Sequence, residues 1–126
     1  MSSRAPKVLI VDDASFMRTL LKDIVKKNGL AGEILEAGDG VEGVKAYQQH
    51  KPDLVTMDVN MPRADGIQAL RAIMKINPAA KIVMVTSVEQ KDIVQDAMRL
   101  GARDYVVKPF DRSAVPLVLN KVLRQR

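Results

Sequence analysis

Short apolar segments alternate along the chain with longer segments in which apolar residues recur every three or four positions. The segments 7–11, 53–57, 81–85 and 104–107 are rich in β-branched residues and are followed by polar ones. The run 7–11 indicates a strand buried on both faces of a sheet, and the other three segments indicate strands. The segment 33–37 carries two glutamates among its five residues, which is typical of a strand at a sheet edge. The pattern therefore predicts five strands.

Helical periodicity fills the interval between each strand and the next, and it returns after the fifth strand. Ser15 is the expected N-cap of the first helix, and the second helix is predicted from Gly40 to about Gln49. Residues that stop helices close the first, third and fourth intervals: Asn28-Gly29, Asn77-Pro78 and Gly101. The chain is thus predicted to contain five helices.

Pro116 lies inside the last helical segment, where an interior proline would cost about 3 kcal/mol. If Ser113 is the N-cap, Pro116 falls in the first turn, whose N–H groups have no intrahelical partner to lose. We therefore expect the regular helix to begin at about Ala114.

Strands and helices that alternate without interruption predict a parallel sheet covered by helices on both faces. Right-handed crossovers make such a sheet doubly wound. The predicted fold is α/β, a five-stranded flavodoxin-like (βα)5 domain with strand order 2-1-3-4-5. A chain of 126 residues suits one domain, and we expect a single domain over 1–126 with its core at about 7–123.

Composition excludes several kinds of site. The chain has no cysteine, which excludes disulfides, thiolate metal sites and thiol nucleophiles, and His50 is its one histidine. There is no run of 18 apolar residues and no apolar segment among residues 1–6, so we expect neither a membrane span nor a secretory signal. These features predict a cytoplasmic protein.

The formal net charge is +5, and it is concentrated at the two ends of the chain. Residues 12–111 are close to neutral, whereas residues 112–126 contain four basic residues and no acidic one. This basic end favours an acidic protein partner, with an ordinary solvated surface as the alternative. The four residues are Arg112, Lys121, Arg124 and Arg126.

Polar residues follow four of the predicted strands: Asp12 and Asp13, then Asp58 and Asn60, then Thr86 and Ser87, and finally Lys108. In open α/β sheets the ligand site lies outside the carboxyl ends of the strands. Three carboxylates that converge there repel one another and require protons or a cation. Oxygen ligands without His or Cys favour Mg²⁺. An ammonium, a hydroxyl and a nucleophilic aspartate would complete a site for phosphoryl transfer. Taken singly, each of these residues also has an ordinary structural role.

Five motifs in order resemble the receiver domain of two-component response regulators. They are Val11-Asp12-Asp13, the segment 57–62 (Met-Asp-Val-Asn-Met-Pro), Asp65-Gly66, Val85-Thr86-Ser87 and the segment 105–110 (Tyr-Val-Val-Lys-Pro-Phe). The resemblance extends over most of the chain, from about Lys7 to Leu123.

The resemblance implies a role for each residue of the site. Asp58 would accept a phosphoryl group from a phosphohistidine on a sensor histidine kinase. Asp13, Asp58 and the Asn60 backbone carbonyl would bind Mg²⁺, with Asp12 acting through water. Thr86 and Lys108 would hold the phosphoryl oxygens, and Lys108-Pro109 would be a cis peptide. Such a domain catalyses its own phosphorylation and dephosphorylation but is chiefly a signalling switch.

The resemblance also implies a conformational switch. On phosphorylation Thr86 would move toward the phosphoryl group and the Tyr105 ring would turn inward. This would reshape the face formed by helix 4, strand 5 and helix 5. The alternative role for Tyr105 is a half-buried strand tyrosine with its hydroxyl in water.

The segment 13–18 resembles the chemotaxis regulators of the CheY type. That subfamily implies a monomeric stand-alone regulator with no output domain. Its partners would be a CheA-like kinase, a target such as a flagellar motor switch component, and a phosphatase. Val88 departs from the polar residue common at this position, which leaves the rate of self-dephosphorylation open.

Three other interpretations remain beside this one. A phosphorelay intermediate, which passes its phosphoryl group to a second histidine protein, would have the same fold and site. The glycines at 38, 40 and 43 match the dinucleotide fingerprint G-x-G-x-x-G. They follow the charged edge strand, and Asp39 would face a pyrophosphate, so we expect turn and packing roles for them. Basic charge also suggests nucleic acid, but the chain has only four aromatic residues for base stacking.

Overall fold

The computed structural model describes residues 5–61 and 65–125, and five strands alternate in it with five helices. Pro62 of the third-strand motif and Arg126 lie outside the described residues. A short 3₁₀ turn at Val88–Gln90 was not predicted. The elements are β1 (Lys7–Val11), α1 (Ser15–Lys27), β2 (Glu33–Ala37), α2 (Gly40–His50), β3 (Leu54–Asp58), α3 (Gly66–Ile76), β4 (Ile82–Ser87), α4 (Lys91–Leu100), β5 (Asp104–Lys108) and α5 (Ala114–Leu123).

All strand pairs in the sheet are parallel, and the strand order is β2-β1-β3-β4-β5. The predicted order and the edge position of β2 are therefore confirmed. The registers set Val11 opposite Met57 and Asp58 opposite Val85. The carboxyl ends of β1, β3 and β4 consequently lie side by side at one edge of the sheet.

Helices cover both faces of the sheet, and each face has its own apolar core. On one face α2, α3 and α4 contribute Tyr47, Ile73 and Ala97 to a cluster with Leu9 and Met84. On the other face α1 and α5 contribute residues such as Ile24 and Leu119 to a second cluster. The three inner strands, β1, β3 and β4, are almost entirely buried, which explains why their sequences are largely apolar without alternation. The fifth strand, β5, is the other edge strand and is only partly buried.

The helix N-termini differ in one respect from prediction. The N-cap of α1 is Ala14, with no side-chain cap, so Ser15 is the first helical residue and the prediction for it was wrong. Ser113 is the N-cap of α5 and Pro116 lies in its first turn, as predicted. The Ser113 hydroxyl donates to Asp111 Oδ1 at 2.8 Å, so it does not cap the helix.

The glycine-rich segment before α2 has turn and packing roles. Asp39 is buried, and its carboxylate accepts a hydrogen bond from the Glu42 N–H at 2.8 Å, which caps α2. A Cβ on Gly43 would lie 3.0 Å from both methyl groups of Val11, so glycine lets α2 pack closely on β1. These contacts account for the fingerprint-like spacing without a nucleotide.

None of the helices in the described ranges combines the length and apolar character needed to cross a membrane.

Candidate functional site

The sheet brings the predicted polar residues to one edge. Asp12 directly follows β1, and Asp58 is the last residue of the neighbouring strand β3. Thr86 lies at the end of β4, and Lys108 is the last residue of β5. Parallel strands end at the same edge, so residues far apart in sequence meet there.

Three carboxylates form the centre of the site. Carboxylate oxygens of Asp12, Asp13 and Asp58 all lie within 4.8 Å of one another. Asp12 and Asp58 are 1% and 7% exposed, whereas Asp13 is exposed. A set of oxygen donors that is open on one side fits a hard divalent cation that keeps some of its waters, as Mg²⁺ does.

Lys108 supplies a cation to the site. Its Nζ lies 3.3 Å from Asp12 Oδ2 and 3.4 Å from Asp58 Oδ1, and it bridges the two buried carboxylates. The Lys108-Pro109 peptide bond is cis, as the family resemblance implied. Lys108 is thus in position to contact an anionic group attached to Asp58.

The electrostatics at Asp58 are unfavourable for its charged form. The pKa of the Asp58 carboxyl is raised from 3.8 to about 6, chiefly by burial and in addition by the negative charges of Asp12 and Asp13. Lys108 opposes this rise through its charge and its hydrogen bond. Any further cation at the cluster would therefore stabilise the carboxylate.

Asp12 differs from Asp13 in the partners of its carboxylate. Asp12 Oδ1 accepts a hydrogen bond from the Ala14 N–H at 2.9 Å, and Oδ2 accepts one from Lys108 at 3.3 Å. With both oxygens engaged, Asp12 suits an indirect contact with a cation through water. Asn60 follows β3 and is exposed beside the same edge.

The two predicted switch residues, Thr86 and Tyr105, differ in their exposure to solvent. Thr86 is 2% exposed, and its hydroxyl donates to Gln90 Oε1 at 3.2 Å. Tyr105 is 43% exposed. Both residues line a cavity of about 390 Å³, together with Val94 and Val107. Space therefore exists between the outward tyrosine and the buried threonine. The side chain of Val88 lies outside the described structure.

Sequence reasoning missed two residues that touch this site. Arg18 donates to the Asp12 backbone carbonyl at 2.6 Å and to Glu36 Oε1 at 3.1 Å, so it ties α1 to the end of β1. Gln90 accepts the Thr86 hydrogen bond. Gln90 lies three residues after Ser87, which is the spacing of a capping box and was the one available signal. Arg18 gave no local signal, because its contact depends on how α1 packs.

Comparison with known protein families gives a match that extends from the first strand into the last helix. The family model of the response regulator receiver domain matches residues 8–120. The chain belongs to the response regulator receiver domain family.

Within this family the chain is similar to chemotaxis regulators. It is 47% identical to the chemotaxis protein CheY of Bacillus subtilis (strain 168) over 119 residues, covering 94% of this chain and 98% of that protein. It is 51% identical to CheY of Thermotoga maritima over 118 residues, covering 92% and 96%.

Solved structures of receiver domains are similar to this chain in fold. The receiver domain of NtrX from Brucella abortus has a TM-score of 0.88 at 30% identity and covers 94% of this chain and 99% of that one. The CheX-CheY-BeF3-Mg complex from Borrelia burgdorferi gives a TM-score of 0.88 at 35% identity, covering 94% and 90%. The predicted family and fold class are therefore confirmed.

Proposed function

We propose that the chain is a chemotaxis switch that accepts a phosphoryl group on Asp58 from the phosphohistidine of a CheA-like sensor kinase. The observation that carries the proposal is the position of Lys108 Nζ, 3.3 Å from Asp12 and 3.4 Å from Asp58 inside a cluster of three carboxylates. An exposed opening with a buried nucleophile and a fixed ammonium suits transfer of a dianionic group.

The transfer is a single displacement at phosphorus. An Asp58 carboxylate oxygen attacks the phosphorus atom, the bond from phosphorus to the imidazole nitrogen breaks, and its electron pair stays on that nitrogen. The product is an acyl phosphate on Asp58. The Lys108 ammonium stabilises the negative charge on one phosphoryl oxygen, and the Thr86 hydroxyl donates to another after it leaves Gln90.

Asp13, Asp58 and the backbone carbonyl of Asn60 would hold Mg²⁺, with Asp12 acting through water. When bound, the ion supplies positive charge against the carboxylates and the phosphoryl oxygens. The donor set supports this assignment because it contains three carboxylates within 4.8 Å and neither histidine nor cysteine. Asp13 is the ligand to test, since it is exposed and its replacement leaves the nucleophile intact.

The output surface of the proposed switch is the face of α4, β5 and α5. Tyr105 is 43% exposed there, and its inward turn into the adjoining cavity would change what that face presents. We infer a motor switch component as the target, and a phosphatase as a further partner, because the similar proteins are chemotaxis regulators. The protein would act in the cytoplasm as a monomer.

The basic charge near α5 is partly neutralised within the chain. Lys121 Nζ lies 2.6 Å from Asp104 Oδ2, and an Arg112 nitrogen lies 2.6 Å from Asp23 Oδ2. Arg124 is exposed, and Arg126 lies beyond the described residues. Attraction of an acidic partner would therefore rest more on Arg124 than on the residues already paired. Charge reversal at Arg124 should slow association in a salt-dependent manner.

Intact-mass spectrometry after incubation with acetyl phosphate tests the phosphoacceptor. In the presence of Mg²⁺ the wild-type protein should gain about 80 Da, which is one phosphoryl group on one nucleophile. Asp58→Asn should gain nothing, while Asp96→Asn, a change at an exposed ion pair on α4, should behave as wild type. Equal labelling of Asp58→Asn and wild type would exclude Asp58 as the acceptor.

Calorimetric titration with MgCl₂ tests the metal site separately. Asp13→Asn should bind Mg²⁺ more weakly than wild type, because it loses one of three negative charges that face the ion. Asp96→Asn is again the matched control, since it removes one exposed carboxylate on α4 that is not part of the cluster. An unchanged affinity in Asp13→Asn would remove Asp13 from the ligand set.

A further inference from the structure

We propose that Gln90 is a positioning residue that holds the Thr86 hydroxyl in its resting orientation and thereby sets how readily the site takes up a phosphoryl group. The inference rests on the proposed function, in which Thr86 moves to a phosphoryl oxygen. It concerns the 3₁₀ turn Val88–Gln90, which joins β4 to α4.

One oxygen atom of Gln90 receives three hydrogen-bond donors. Gln90 Oε1 accepts from the Ser87 hydroxyl at 3.0 Å, from the Ser87 N–H at 3.1 Å and from the Thr86 hydroxyl at 3.2 Å. A carbonyl oxygen has two lone pairs, so the three donors compete. The bond from Thr86 is the longest of the three.

This competition allows Gln90 to release Thr86 without unfolding the turn. The Ser87 N–H belongs to a capping box in which the Ser87 and Gln90 side chains and backbone bond reciprocally. Those bonds remain when the Thr86 hydroxyl rotates away, and the Ser87 hydroxyl stays on the same oxygen. The connection between Gln90 and Thr86 is thus separable from the folding of the turn.

Burial of Thr86 makes the choice of acceptor decisive. Thr86 is 2% exposed, so its hydroxyl has little access to bulk water, and buried hydroxyls take an acceptor from their surroundings. Besides Gln90, the Ser87 carbonyl accepts a bond from this hydroxyl at 3.4 Å, a long distance for an O–H donor. Without the Gln90 oxygen, Thr86 loses its better resting partner, and a phosphoryl oxygen becomes relatively more favourable.

The size of the effect follows from the net strength of one neutral hydrogen bond. Such a bond changes an equilibrium constant by a factor of about 2 to 10, and we expect about five-fold here. Because the resting orientation must be given up before a phosphoryl oxygen is bound, loss of the bond raises the apparent affinity by that factor.

The test is a titration with beryllofluoride and Mg²⁺, a stable mimic of the phosphoryl group on Asp58, followed by tyrosine fluorescence. Gln90→Met keeps the length of the side chain and removes the acceptor of the Thr86 hydroxyl and of both Ser87 donors, so the Thr86→Val background is needed to isolate the bond from Thr86. Gln90→Met should bind about five-fold more tightly than wild type. In a Thr86→Val background the same Gln90→Met change should give no gain, since there is no hydroxyl left to hold.

Ser87→Ala is the matched control. It removes another donor from the same Gln90 oxygen but keeps Thr86 and the Ser87 N–H, so it should bind no more tightly than wild type. A five-fold gain in Ser87→Ala would show that loosening of the turn is the cause, and it would overturn the role of Gln90.

Other outcomes separate this inference from the proposed function. If wild-type protein fails to bind beryllofluoride with Mg²⁺, the phosphoacceptor assignment falls and the role of Gln90 falls with it. If wild type binds but Gln90→Met binds equally or more weakly, only the role of Gln90 is refuted. A gain that persists in the Thr86→Val background refutes it equally, because the effect would then not pass through Thr86.

Discussion

Replacement of the phosphoacceptor by its neutral amide should stabilise the metal-free protein. Asp58 is 7% exposed, and burial followed by the charge of Asp12 raises the pKa of its carboxyl from 3.8 to about 6. The ionised form is therefore less stable in the folded protein than in the unfolded chain. Asp58→Asn removes that charge with almost no change in shape, and it leaves Lys108 its bond to Asp12 at 3.3 Å.

The magnitude follows from the two pKa values. One pH unit of difference corresponds to about 1.4 kcal/mol, so a rise from 3.8 to about 6 corresponds to about 3 kcal/mol. Below about pH 4 the carboxyl is protonated in both states and the penalty is absent. Above about pH 6 it is ionised in both states, and the folded protein carries the full penalty. The stability gain of Asp58→Asn should thus grow as the pH rises from about 4 to about 6.

Urea unfolding followed by circular dichroism, with EDTA present, measures this gain. At about pH 7.5 Asp58→Asn should exceed wild type by up to about 3 kcal/mol, and at about pH 4 the two should be nearly equal. The control Asp96→Asn, at an exposed ion pair, should change stability by less than about 0.5 kcal/mol at either pH. A gain that is the same at both pH values, or absent at the higher one, would refute the electrostatic argument.

Three further predictions concern packing and hydrogen bonds, each measured by urea unfolding. Thr56→Val should stabilise the protein by about 1 kcal/mol, because the buried hydroxyl of Thr56 has no hydrogen-bond partner in the described structure; a loss of stability would contradict this. Gly66→Ala should destabilise by at least about 3 kcal/mol, because its Cβ would overlap the backbone at the end of β3. Gly38→Ala, whose Cβ would meet only side-chain atoms at 3.7 Å, should cost much less, and equal losses would refute the steric argument. Tyr47→Phe should cost about 1 kcal/mol, since the hydroxyl accepts a bond from the Asn77 amide at 3.0 Å, and an unchanged stability would show that this bond contributes nothing.

The strands and most helix boundaries could be predicted because their signals are local. The residues of segment 7–11 by themselves predict a buried strand, and the observed strand β1 has the same bounds. Asp58 was expected just beyond its strand and is instead the last residue of β3, a shift that leaves the site unchanged. Ser15 shows where local reasoning fails, because a residue suited to an N-cap became the first residue of α1. The chain geometry at Ala14 decided that outcome.

Most residues of the candidate site could be predicted from the sequence because a parallel α/β sheet places its site at the carboxyl ends of the strands. Once the strands are parallel, every strand ends at the same edge, so Asp12 and Asp58 on the neighbouring strands β1 and β3 lie close together. Lys108 follows from the same rule only as a residue of that edge, and its long side chain reaches both carboxylates. The presence of Gln90 and Arg18 at the edge could not be derived in that way. Each reaches the site through the path of its own loop or helix, and such paths depend on packing over the whole face.

The sequence by itself determined the order of strands and helices, the parallel sheet and the convergence of three carboxylates with a lysine. These follow from periodicity along the chain and from a topology with few alternatives. Only the tertiary structure decided which of these groups bond to one another. It directed Thr86 to Gln90, left Tyr105 on the surface and raised the pKa of Asp58 to about 6. The reason is physical. Burial and hydrogen bonds depend on the distances between segments remote in sequence, to within a few tenths of an ångström, and no local sequence pattern contains those distances.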